Sequence, residues 1–190
     1  VARPEDNHGK SRKITELLQG GKEILVQVIR DAMGNKGPRL TTQLGIAGRY
    51  VVYLPNSDSS GVSRRLETAE RERLRAVCKE LDLGKGGIIV RTAAQGVDAE
   101  SIGRDLRFLQ RVWSGVERRA ATAGAPSLAY EEAELAVRSV RDLLGPEFGA
   151  VLVDDPKLRR RLVNYLHAVA PALTDRVELR EGSTSLFTRL

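Results

Sequence analysis

Gly86-Gly87-Ile88-Ile89-Val90-Arg91-Thr92-Ala93 is the stretch on which the reading of this chain turns. Two glycines release a short apolar run with the look of a buried strand, and the strand ends on an arginine and a threonine. Small residues follow, with Gly96 closing the loop. A strand holds its end rigidly, so a guanidinium, a hydroxyl and exposed backbone N–H groups at that end can form a pocket for a phosphate. Arginine suits the role because its planar fork bonds two phosphate oxygens at once. The same residues also describe a surface arginine capping a strand, which for an isolated motif is the commoner case. The choice between the two rests on the rest of the chain.

Upstream, Thr68 reads as the N-cap of a helix running to about Leu83, with Glu70 and Glu72 well placed in its first turn. Cys78 falls on the apolar face of that helix, where packing is the expected role. Gly84-Lys85-Gly86-Gly87 ends the helix; it lacks the spacing of a phosphate-cradling GxxxxGK[ST] loop. Downstream, a long helix is expected from about Asp98 to Ala121. Ile102, Leu106, Leu109, Trp113, Val116 and Ala120 recur on one stripe of it, so Trp113 reads as a core anchor rather than a base-stacking residue. Thr122-Ala123-Gly124-Ala125-Pro126 is a break and a candidate domain boundary.

Farther out, Glu23–Arg30 alternates as a strand, with Ile24, Val26 and Val28 on one face. With Arg39–Leu44 it forms an expected β-hairpin around the Gly-rich loop Asp31–Pro38. Arg49–Leu54 is a third strand, stopped by Pro55-Asn56, and Asn56–Gly61 is a polar loop. Ile14–Leu18 reads as a short turn or helix after a basic, flexible entry. Past the break, Ser127–Tyr130 is a candidate strand, Ala133–Leu144 a helix, Gly149–Asp155 a buried-type strand, Pro156–Val169 a helix and Arg176–Arg180 a strand. That alternation points to an α/β layer. The fold class is therefore mixed α/β (α+β).

Composition narrows the function classes. The 190 residues carry one cysteine, which excludes an internal disulfide framework and a cysteine cluster for zinc, and fits a reducing cytoplasm. No apolar run approaches the roughly 20 residues of a membrane span. The N-terminus has no apolar signal core and opens on Val1 rather than Met, which reads as a fragment or processed chain. The net charge is +6, and residues 1–65 hold 11 Lys/Arg against 6 Asp/Glu, so nearly all the excess is N-terminal. A localised basic excess is the footprint of a nucleic-acid surface, although a generic basic protein has the same composition.

The chemistry-bearing groups follow that trend. Arg30, Lys36 and Arg39 flank or occupy the hairpin loop, a common way to grip a phosphate backbone; a solvated hairpin tip is the equal alternative. Aromatics make up 4% of the chain, too few to stack many splayed bases. Asp154-Asp155 could hold Mg²⁺, but before Pro156 at a helix start they read as a cap. Glu131, Glu132 and Glu134 read as a solvated face. His8 and His167 have no partners at motif spacing, and no Ser-His-Asp, HExxH or Cys-His arrangement is present. By its residues alone the chain is better suited to binding an anionic polymer than to chemistry.

The order of blocks carries a resemblance. Gly34-Asn35-Lys36-Gly37-Pro38-Arg39-Leu40-Thr41-Thr42 is similar to the GxKGxxLTT run of the bacterial ribonuclease E/G family. Ala47–Pro55, Gly61-Val62-Ser63-Arg64-Arg65 and Ile89-Val90-Arg91-Thr92-Ala93 resemble its next blocks in the same order. Val151–Pro156 and Leu186-Phe187 resemble later landmarks. The resemblance implies a single-strand-specific endoribonuclease of RNA processing and decay, located in the cytoplasm. It implies that residues 1–43 are the C-terminal part of an OB-fold RNA-binding domain, 44–125 a 5′-sensor domain, and 126–190 an incomplete, structural RNase H-like domain. Arg91 and Thr92 would hold a 5′-monophosphate, Gly48 and Val52 would lie beside the terminal nucleotide, Lys36 would contact RNA, and Arg30 falls where the family can have a basic contact residue; Arg39, from the hairpin reading above, joins them as a backbone contact. The family's Mg²⁺-binding aspartates and zinc-linking cysteines fall after Leu190, so this stretch would bind no metal, sense RNA and not cut it, and homo-oligomers would belong to the full-length enzyme. A non-enzymatic RNA-binding adaptor and a purely structural fragment are the alternatives.

Overall fold

In a computed structural model, the structure describes residues 18–145 and 147–180, together with Gly182 and Leu186. The basic entry with His8, nearly all of the Ile14–Leu18 segment, and Phe187 lie outside the described residues. The chain is mixed α and β. Strands β1 (Gln27–Arg30) and β2 (Arg39–Thr41) form an antiparallel hairpin. A four-stranded sheet follows, from β3 (Ile46–Ala47), β4 (Val51–Leu54), β5 (Ser60–Val62) and β6 (Gly87–Val90), in spatial order β3-β4-β6-β5. Helix α1 (Thr68–Glu80) connects β5 to β6, and α2 (Ala99–Thr122) comes after β6. The last part holds α3 (Leu135–Leu143), β7 (Val151–Val153), α4 (Pro156–Val169) and β8 (Val177–Leu179), with β7 and β8 paired.

Two crossovers explain the chain path. Strands β5 and β6 are parallel, as are β7 and β8, and each pair is joined through a helix, because parallel neighbours need a long connection. Strand β4 lies antiparallel to β6, with Val51 opposite Val90 and Val52 opposite Ile89. Val51, Ile88 and Val90 are fully buried and pack with Leu74 and Cys78 of α1 and with Ile102, Leu106 and Leu109 of α2. A second core joins Val137 and Val140 of α3, Val153 of β7, Leu162, Leu166 and Val169 of α4, and Val177 of β8. Phe108 of α2 packs against both cores and meets Tyr165 edge-on, ring centroids 6.1 Å apart.

The structure sharpens several sequence expectations. Gly87 is more than a helix stop: a Cβ there would stand 2.0 Å from the Ser59 carbonyl oxygen, so a side chain would break the β5–β6 pairing. Helix α1 begins at Thr68 with Glu67 as N-cap and no side-chain capping bond, and it ends at Glu80 rather than near Leu83. The short strands β3 and β5 escape the alternation test because two or three residues cannot show a period. Ser127–Tyr130 is not a strand; Ala129 is buried and Tyr130 packs on the first core without a ladder partner. The first hairpin strand is shorter than Glu23–Arg30, and its apolar residues Ile24, Val28 and Ile29 are exposed.

Candidate phosphate-reading site

The end of β6 delivers Arg91 into a turn of 3₁₀-helix over Thr92–Ala94. The backbone N–H of Arg91 is still in the sheet, donating to the Tyr50 carbonyl at 2.8 Å. Its side chain leaves on the same face as Ile89 and Val52, since successive strand residues alternate faces. There Nη1 donates to the Gly48 carbonyl and, at 3.4 Å, to the Arg49 carbonyl, while Nη2 donates to Asp142 Oδ1 at 2.7 Å. Nε–H has no protein acceptor among the described residues, and the guanidinium is partly exposed at 27%. Beside it, the Thr92 hydroxyl lies 3.0 Å from the Ser63 hydroxyl, and both are accessible. One cation and two hydroxyls therefore face outward at the end of a buried strand.

The acceptors that hold Arg91 are themselves fixed by a buried carboxylate. Asp105 of α2 is fully buried and accepts three consecutive backbone N–H groups, from Arg49 at 3.2 Å, Tyr50 at 2.7 Å and Val51 at 3.1 Å. Burial pushes the Asp105 carboxyl up from its ordinary range, and the three backbone donors pull against that. A Cβ on Gly48 would stand 2.5 Å from Asp105 Oδ2, so glycine is what lets the turn close over the carboxylate. Arg49, also buried, donates to the carbonyls of Val140, Arg141 and Leu144 and so closes the C-terminal end of α3.

Asp142 is held from the other side. Arg141 donates to it through Nε at 3.0 Å and Nη2 at 3.1 Å, and through Nη1 reaches Glu132 at 2.9 Å and the Ala47 carbonyl at 3.1 Å. Burial alone would raise the Asp142 carboxyl, but the bonds from Arg141 and Arg91 outweigh it and hold the group below its usual range. Glu132 is thus an ion-pair partner of Arg141 and, more distantly, of Arg138, and Glu134 pairs with Arg161 at 3.0 Å. These carboxylates are exposed, as a solvated face would be, but each has a cationic partner.

The predicted residues fall in two places. Arg91, Thr92, Gly48 and Val52 cluster around the end of β6, with Val52 half-buried on the outer face. Lys36, Arg30 and Arg39 lie exposed on the hairpin. Met33 and Lys36 exchange two backbone bonds of 3.0 Å across its tip, and Arg30 is paired with Arg39. The hairpin is tied to the sheet by the Gln27 amide, which bonds Gly45 N–H and carbonyl at 2.9 and 3.1 Å. Sequence reasoning missed Ser63, Asp105, Asp142 and Arg141. Asp105 left one signal, a carboxylate three residues after Ile102 and four before Leu109 on a helix's apolar stripe. Asp142 left none, because its partner Arg91 is 51 residues away.

Among the described residues no group of three or more His, Cys, Asp or Glu could hold a metal ion. Asp155 caps α4, accepting from Lys157 N–H at 2.8 Å. Cys78 is buried in the first core, and burial pushes its thiol up. Also among the described residues, no helix is long and apolar enough to cross a membrane.

Comparison with known proteins bears on this arrangement. The family model described as "Ribonuclease E/G family" matches residues 45–190. Ribonuclease E of Haemophilus influenzae is 36% identical over 188 residues, covering 97% of this chain and 20% of that protein. Ribonuclease G of Salmonella typhimurium and of Escherichia coli K12 are each 36% identical over 188 residues, covering 98% of this chain and 38% of theirs. The chain therefore spans between about a fifth and two-fifths of these relatives' length.

Proposed function

The chain belongs to the ribonuclease E/G family, and from that premise we propose that it reads the 5′ end of single-stranded RNA, with Arg91 and Thr92 holding a terminal monophosphate. The observation that carries the reading is the end of β6. There a guanidinium whose Nε–H has no protein acceptor among the described residues stands beside two accessible hydroxyls, Thr92 and Ser63, and is held by the carbonyls of a neighbouring turn that Asp105 locks from below. A terminal phosphate carries close to two charges near neutral pH and offers several acceptors. A charge-assisted hydrogen bond is worth about 1.5–3 kcal/mol net, or one to two decades in affinity. A 5′-hydroxyl lacks the anion and forfeits that gain. Gly48 and Val52 would lie beside the terminal nucleotide. Lys36, Arg30 and Arg39 would hold backbone phosphates in any sequence.

In this reading residues 1–43 belong to an OB-fold RNA-binding domain, 44–125 to the 5′ sensor, and 126–190 to a structural RNase H-like domain. The whole protein would be a cytoplasmic endoribonuclease of RNA processing and decay, assembled as a homo-oligomer, with Mg²⁺ and a structural Zn²⁺ held by residues outside this chain. The chain itself would bind and not cut. The test is fluorescence anisotropy at fixed salt with 5′-monophosphorylated and 5′-hydroxyl oligomers. Arg91→Ala should abolish an at least tenfold preference for the phosphorylated end while the fold stays intact. Equal discrimination in mutant and parent would sink the proposal. Robust Mg²⁺-dependent cleavage by this chain alone would contradict the placement of the catalytic groups elsewhere.

A further inference from the structure

We propose that Asp142 is a positioning residue for the phosphate-reading arginine, supplied to the pocket from beyond the candidate boundary at residues 122–126; the inference rests on the 5′-end reading above. A free arginine side chain samples many rotamers, and fixing one costs side-chain entropy. Arg91 is already fixed. The Gly48 and Arg49 carbonyls take Nη1, and the Asp142 carboxylate takes Nη2. A guanidinium has five N–H donors, so this grip leaves Nε–H and part of the fork for a ligand on the open side.

The carboxylate cannot drift toward the ligand site, because both of its oxygens receive bonds from Arg141. Arg141 in turn is anchored on Glu132 and on the Ala47 carbonyl, one residue before the turn that holds Arg91. The order Ala47, Arg141, Asp142, Arg91, Gly48 closes a ring of polar contacts between the sheet and α3. Arg49 clamps the same helix by three carbonyls near its C-terminal end. The phosphate pocket is thus completed by α3: residues 44–125 supply the donors, and a residue of 126–190 aims them.

A competing anion would behave oppositely. If Asp142 merely occupied the place a phosphate takes, removing it would tighten binding. The experiment uses the full chain and the two end types of oligomer, read by anisotropy at fixed salt. Asp142→Ala should weaken the monophosphorylated oligomer by roughly tenfold, the loss of one charge-assisted contact's worth of order, and leave the hydroxyl-ended oligomer within about twofold. Asp142→Asn keeps an acceptor oxygen in place and should restore most of the preference. Asp142→Glu keeps the charge but moves the acceptor by a methylene, and should lose the preference. Tighter or unchanged binding of the phosphorylated oligomer in Asp142→Ala overturns the inference. If that variant does not fold, parent-like discrimination in Asp142→Glu overturns it instead. A parent that fails to discriminate, with Arg91→Ala behaving identically, brings down the 5′-end reading itself, and this inference with it.

Discussion

The hairpin at residues 27–41 and the sheet at residues 46–90 both place aliphatic residues in their strands, yet those residues end in opposite environments. Val28 and Leu40 are 54% and 50% exposed, whereas Val51 and Val90, paired across β4 and β6, are completely buried. The sheet has α1 and α2 over one face, so its inward residues meet Leu74, Ile102 and Leu106. The hairpin is fastened by polar bonds, Gln27 to Gly45 and the Glu23 carboxylate to Ala125 N–H. Alternation in a sequence reports a strand; burial needs a second layer, and that layer is not written in the strand. The consequence is functional as well. The group proposed to read phosphate, Arg91, ends a buried strand, while among the described residues few contacts hold the basic hairpin.

The strongest way to break this contrast is Asp105→Ala. It orphans three buried backbone N–H groups under the turn that carries Gly48. Each orphan costs about 1–3 kcal/mol, so a loss of about 3 kcal/mol or more is expected in urea unfolding. Gly48→Ala attacks the same contact from the other partner and should be comparably severe. A loss below about 1 kcal/mol would mean that the carboxylate is not what holds the turn.

Next comes a matched pair of leucines. Leu106→Ala empties a site that is 1% exposed, and losses of about 2–5 kcal/mol attend such changes. Leu40→Ala, on the hairpin, should fall within about 0.5 kcal/mol, as surface substitutions do. Similar costs at the two positions would show that the hairpin face is covered in solution.

How far this division was readable depends on range. Helices α2 and α4 were legible to within a residue or so, because their stripes repeat over several turns and Asp98 and Asp155 cap them in sequence. The strand before Arg91 was legible because glycines bound it. What was not legible is everything made by contacts between distant segments: Ser63 against Thr92, Asp105 under the Gly48 turn, Asp142 on Arg91. Single-sequence patterns encode local period, and these pairs are 29 to 55 residues apart. The exposure of Ile24, Val28 and Ile29 was invisible for the same reason: nothing in an alternating run says whether a partner layer exists.

A smaller effect would separate the two regions by what each is proposed to recognise. Lys36→Ala should weaken phosphorylated and hydroxyl-ended RNA alike, by a factor of a few, and reduce the slope of log affinity against log salt by about 0.7, the value for one phosphate contact on single strands. An end-dependent effect at Lys36 would place it in the end-reading pocket rather than on the backbone track.

The smallest effect concerns the loop beyond Thr92. The Glu70 carboxylate accepts from Arg73 Nε and Nη2 at 2.8 and 2.7 Å and from the backbone N–H of Gly96 at 2.8 Å, while Arg73 also donates to the Val97 carbonyl at 3.0 Å. The bond from Arg73, followed by that from Gly96, lowers the Glu70 pKa from 4.5 to about 2. A carboxylate whose pKa is depressed in the folded state contributes fully above its unfolded value, and the contribution is lost as pH falls through the folded value. The window is therefore from about pH 4.5 down to about 2. The Gly96 amide resonance should hold steady through mild acid and shift with a midpoint near the lower end. Glu70→Gln at neutral pH should speed Gly96 amide exchange while leaving hairpin amides unchanged. A Gly96 midpoint near 4.5 would mean that the loop is not tied to α1, and that the proposed phosphate-reading end of β6 is held from the Gly48 and Asp105 side alone.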